Sequence, residues 1–88
     1  MKTIWKFPLT IDDEQVVEMP RSSVPLSVAL QDGTVCLWAE VITEFPLRKA
    51  HISIRGTGHA VPDEYERFMG SVQQGPFVWH IFWRGWAL

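Results

Sequence analysis

The turn Gly56-Thr57-Gly58-His59 offers the plainest opening for chemistry, because successive backbone amides beside glycine can form a nest that holds an anion or a phosphate. It is not a P-loop: no Gly-Lys-Ser/Thr triplet is present and no helical pattern follows. The competing reading is an ordinary turn, with the glycines supplying positive φ and Thr57 capping locally. In the binding reading, Gly56, Thr57, Gly58 and His59 take a ligand's anionic group, and Trp38 or Trp79 stacks on a base or ring.

Other reactive side chains form no recognisable constellation. His51, His59, His80 and Cys36 are of metal-ligand type, yet none stands at the short spacings of structural zinc sites, so no metal is expected. Cys36 lies between Val35 and Leu37 and reads as an inert buried thiol. Nothing brings it, or a serine, to a histidine, and no oxyanion-hole motif is visible. Asp63, Glu64 and Glu66 follow Pro62 and read as solvated surface. No catalytic residue and no cofactor is expected, and the chain reads as a non-enzymatic binding protein.

The most distinctive stretch is the last dozen residues, which hold three of the five tryptophans. Aromatic side chains each bury about 150–250 Å², so this much apolar surface must be covered by a core or by another chain. Phe77, Trp79, Ile81 and Trp83 alternate with Val78, His80 and Phe82, which predicts a central strand apolar on both faces. Trp86 and Leu88 follow Gly85, past the expected strand end. Two roles fit them: a cap folded over the core, or an interface in which Trp83, Arg84, Trp86 and Leu88 meet another protein, since Trp and Arg are enriched in hot spots.

The elements that must carry these residues are short strands, because six prolines punctuate the chain too often for long helices. Asp32-Gly33 between alternating runs predicts a two-residue hairpin that pairs Gln31 with Thr34, Leu30 with Val35, Val28 with Leu37, Leu26 with Ala39 and Val24 with Val41. One face of this ribbon is then apolar, while Ser27 faces Trp38, Ala29 faces Cys36 and Pro25 faces Glu40. A second hairpin is expected around Gln74-Gly75, setting Gln73 opposite Pro76, Val72 opposite Phe77, Gly70 opposite Trp79 and Phe68 opposite Ile81. Further strands are expected over 3–9, 15–19 and 50–55, with one short helix near 63–69. The sum is a single all-β domain over 1–88, a small antiparallel barrel or two-layer sandwich of six to seven strands.

Composition narrows the partners. A formal net charge of −2, with Lys and Arg scattered along the chain, argues against nucleic acid. No run approaches the roughly 20 apolar residues of a membrane span. The lone cysteine forms no internal disulfide and fits a reducing cytoplasm. Surplus aromatic surface makes a homo-oligomer a second expected outlet.

The blocks Ile4-Trp5-Lys6-Phe7-Pro8-Leu9, Cys36-Leu37-Trp38-Ala39 and Ile54-Arg55-Gly56-Thr57-Gly58-His59, with Pro62-Asp63 behind them, resemble a family of small proteins of tailed phages and prophages. The likeness spans most of the chain and ends near Phe82, so Trp83 onward departs from the pattern. The family has no assigned activity. The resemblance implies a setting, the cytoplasm of an infected bacterium, and a partner, a bacterial host protein whose defence role the chain could inhibit.

Overall fold

Alternation of apolar and polar residues, broken by turns, folds residues 1–88 into seven strands and no helix, as seen in a computed structural model. The strands are β1 (Lys2–Pro8), β2 (Glu14–Pro20), β3 (Val24–Gln31), β4 (Thr34–Ile42), β5 (Leu47–Gly56), β6 (Arg67–Gln74) and β7 (Phe77–Trp86). They form two antiparallel sheets, one ordered β1-β4-β3 and the other β2-β5-β7-β6. The two sheets pack as a sandwich, the open alternative to the closed barrel. The inner faces contribute Leu37, Ala39 and Val41 from β4, Ala50, Ile52 and Ile54 from β5, and Ile81 and Trp83 from β7, all buried in one cluster. No helix is long and apolar enough to cross a membrane.

The first hairpin turns at Asp32-Gly33, where φ is +49° and +79°, the backbone that a two-residue turn needs and that Asp and Gly accept. Its register follows the expected one from Gln31↔Thr34 back to Ser27↔Trp38. There a bulge at Leu26 intervenes, so Pro25 lies opposite Ala39 and Val24 opposite Glu40, one step from the alternation-based pairing. The displacement turns Pro25 inward, where it is buried, and leaves Leu26 at the surface.

The second hairpin is shifted from its expected register. Gly75-Pro76 forms the two-residue turn, which pairs Gln74 with Phe77, Val72 with Trp79 and Ser71 with His80. Proline suits this turn because it removes a donor where the ladder has ended. A bulge at Met69 then brings Gly70 opposite Ile81 and Phe68 opposite Phe82, sending Phe68 to the outer face. No helix forms near 63–69: Pro62 is buried, the Glu66 amide donates to the Trp83 carbonyl, and Arg67 already belongs to β6.

The C-terminal strand also runs further than its glycine suggested. A bulge at Arg84 lets β7 pass through Gly85 and pair Trp86 with Ala50. Gly85 has φ +108°, and a Cβ there would overlap the Glu66 carboxylate. Trp83, expected at an interface, is 5% exposed within the core, and Trp86 packs edge-to-face against it at 5.5 Å with the Arg48 guanidinium over its ring. Trp83→Ala should therefore destabilise the monomer by about 3–5 kcal/mol in urea denaturation. Gly85→Ala should lose about 1–3 kcal/mol through its left-handed backbone, whereas Leu88→Ala, at a fully exposed end, should leave the midpoint unchanged.

Candidate functional site

The outer face of the four-stranded sheet carries the polar side chains that alternate with the core set. From β5 these are His51, Ser53 and Arg55, and from β7 they are His80 and Arg84, with Phe82 between them. Glu14 on β2 and Ser71 on β6 lie on the same face. Residues 57–66 cross over this surface. Tyr65 meets Phe82 edge-on at 4.8 Å, Phe68 lies 5.3 Å from the same ring, and Phe82 is buried although it points away from the core.

Glu14 is the fixed point of this cover. One carboxylate oxygen accepts from Arg55 at 3.0 Å and from Arg84 at 2.6 Å. The other accepts from the Ser53 hydroxyl and lies 3.4 Å from His51 Nε2. Each arginine also reaches the crossing segment: Arg55 donates to the Ala60 carbonyl at 3.2 Å and Arg84 to the Glu64 carbonyl at 2.8 Å. Each planar guanidinium thus bridges, with one nitrogen on Glu14 and another on a backbone carbonyl, which makes the tie directional as well as attractive.

Between the crossing segment and the sheet lies an open cleft of about 290 Å³, lined by Arg55, Gly56, Thr57, Gly58, His59, Val61, Phe68, His80 and Phe82. His80 projects from central β7, with Arg55 its neighbour on β5 and Ser71 on β6. Both ring nitrogens are engaged, Nε2 with Thr57 Oγ1 at 2.8 Å and Nδ1 with Ser71 Oγ at 2.7 Å. A neutral imidazole donates from one nitrogen and accepts at the other, so one hydroxyl gives its proton to the ring while the other keeps its own free. Both hydroxyl residues are exposed, but of the two only Thr57 lines the cleft, where it can offer a ligand either a donor or an acceptor. A threonine beside an imidazole also has nucleophile-and-base geometry, but here a serine occupies the place of the orienting carboxylate.

The His59 imidazole lies against Gly56: a Cβ on Gly56 would stand 3.2 Å from that ring and 3.3 Å from Trp79. A second, smaller hollow of about 240 Å³ opens beyond the same turn, with Pro76, Phe77, Val78 and Trp79 on its far wall. The turn is thus a thin partition between two depressions. Gly56, Thr57, Gly58 and His59 all line the larger one. Trp38 does not: it stands on the outer face of β4, between Lys6 and Ser27, on the other sheet. Of the expected interface residues, Trp83 is internal, Arg84 is committed to Glu14, Trp86 is half-buried, and Leu88 alone is freely exposed.

Arg55, Val61, Phe68, His80 and Phe82 complete the lining and were not marked as site residues by their sequence context. The signal for His80 was the turn itself, because placing Gly75-Pro76 at its tip puts Ser71 directly across from His80. The Glu14 tie joins residues up to 70 positions apart and has no local signature.

The family model that matches the chain, over residues 1–86, is described as a domain of unknown function, DUF7352. No curated protein and no solved structure matches.

Partial burial works against the charged form of Glu14, but the Ser53 hydrogen bond and the charges of Arg84, His51 and Arg55 outweigh it, so its pKa falls below the ordinary value of 4.5. A carboxyl depressed on folding stabilises the native state above its unfolded pKa and loses that contribution as pH falls through the folded one. Glu14→Gln should be less stable than the parent at neutral pH, and the gap between their urea midpoints should close on acidification below about pH 4.5. A gap that stays constant across that range would mean the carboxylate's charge is not what anchors the cover.

Proposed function

The chain belongs to DUF7352, a domain family of unknown function, and from its own geometry we propose that it is a non-enzymatic binding module that takes a small ligand into the cleft beneath residues 57–61. The observation that carries this reading is the convergence, in one concave site, of the Thr57–His80–Ser71 hydrogen-bond chain with an apolar wall of Val61, Phe68 and Phe82. A few placed polar groups against an apolar wall are the usual makings of a ligand site, and a volume of about 290 Å³ falls just below the roughly 300–1,000 Å³ range, which suits a small ligand.

The same geometry ranks this reading above docking through the C-terminal aromatics. Trp83 packs inside the sandwich and Arg84 is held by Glu14, which leaves Leu88 and part of Trp86 for a partner. Val61 and Phe68, in contrast, are 57% and 49% exposed beside the cleft. The phage setting, the bacterial host protein as ultimate target and the host cytoplasm as location form part of the same proposal and rest on the sequence resemblance alone.

Two-dimensional amide NMR against a library of small amphiphilic compounds tests the site. Hits should move the resonances of Thr57, Gly58, His59, Val61 and His80 together, and at 100 times its dissociation constant a hit should add about 2.7 kcal/mol to stability. Hits that leave those amides unmoved and instead shift the outer face of β4 around Trp38 would refute the cleft as the binding site.

A further inference from the structure

We infer that the ligand of this cleft carries an oxyanion on a compact apolar body, and that His80 couples its capture to protonation; the inference rests on the cleft being the binding site. The ionisable side chains lining the cleft are Arg55, His59 and His80, and no carboxylate is among them. Glu14 does not line the cleft, and its carboxylate pairs with Arg55 and Arg84 on the neighbouring part of the sheet, so the two imidazoles are the cleft's ionisable groups not paired with an acid at neutral pH. For a chain whose formal charge is −2, a lining of one sign is a local departure that favours an anion.

The donors for that anion follow from the hydrogen-bond chain. When His80 carries two protons, both ring nitrogens must donate, so Ser71 Oγ and Thr57 Oγ1 both accept. The Thr57 hydroxyl proton is then released to point into the cleft, beside an imidazolium. When His80 is neutral with its proton on Nδ1, Thr57 donates to Nε2 and shows an incoming oxyanion only lone pairs. Protonation adds positive charge at the cleft floor in either case, and it also reverses the polarity of Thr57 where the neutral ring carries its proton on Nδ1; with the proton on Nε2 the Thr57 hydroxyl is already a free donor. The groups facing His80 are Arg55 from β5, Ser71 from β6, and Thr57 and His59 from the crossing segment. Of these His59 is the other titratable imidazole, and it lies over Gly56 at the rim. The opposite wall, Val61, Phe68 and Phe82, covers the ligand's apolar body.

Benzenesulfonate is a suitable probe because its single charge stays constant across the neutral range, so any pH dependence belongs to the protein. Titrations by NMR or calorimetry should give tighter binding at pH about 5.5 than at pH about 8. Binding should also be accompanied by proton uptake, as linkage requires. Thr57→Val should weaken benzenesulfonate about tenfold at pH about 5.5. His80→Gln should flatten most of the pH dependence, and His59→Gln should preserve it. Benzyl alcohol, which shares the ring but has no charge, should bind more weakly and without pH dependence. If benzyl alcohol binds as well as the sulfonate, the cleft is a ligand site and the oxyanion inference is wrong. Failure of both probes at millimolar concentration, or sulfonate affinity unchanged by Thr57→Val and by pH, would likewise overturn it.

Discussion

Over Ile81–Trp83, β7 is buried on both faces, and nearly every other feature answers to that constraint. It lies between β5 and β6, and Ile81 and Trp83 fill the sandwich interior while Phe82, one residue away, is covered from outside. A sheet with a single packed face leaves its outer residues to water, so burying Phe82 requires a second layer. This domain supplies no helix for the purpose and uses the irregular segment 57–66. Irregular backbone placed over a sheet must find partners for its carbonyls, and Arg55 and Arg84 provide them at Ala60 and Glu64. Glu14 in turn holds the two guanidinium groups side by side against their mutual repulsion. The cleft is the space this cover leaves over the β6–β7 ribbon.

The strands were legible because their signals are local. Asp-Gly at 32–33 specifies positive φ at two successive positions, and period-two alternation assigns the inner residues of β4, β5 and β7 correctly. Bulges were not legible. Leu26, Met69 and Arg84 each add one residue to a strand, and an inserted residue is marked only by the partner strand it fails to meet. Met69 shows the consequence most clearly: it reverses Phe68 from the inner to the outer face, where the ring joins Phe82 and becomes a wall of the cleft.

The candidate site was half legible for the same reason. Gly56-Thr57-Gly58-His59 announces itself through composition, and all four residues line the cleft. Its other half is non-local. His80 acquires its two hydroxyl partners only when the hairpin turns at Gly75-Pro76, and a turn placed one residue earlier sets Ser71 against Val78 and isolates the imidazole. The C-terminal tryptophans left two outlets open in the sequence. Apolar surface in such quantity demands burial without saying by whom, and in this domain the bulge at Arg84 and the left-handed Gly85 carry Trp86 back beside Trp83.

Placing the polar chain on β7 has a mechanical consequence. A central strand is held on both sides by ladder hydrogen bonds, so His80 stands on backbone paired at both edges, while Thr57 stands on a turn closed by the His59 amide to the Gly56 carbonyl. Ser71 fixes the imidazole from β6, and the rigid ring then fixes the hydroxyl of a residue whose own backbone is exposed. Gly56 allows this arrangement to be compact, since the His59 ring and Trp79 both come close to where a side chain would stand. The exposed turn therefore borrows its order from the sheet through a single imidazole, and any ligand that engages Thr57 is positioned by the core of the fold and not by the loop that presents the contact.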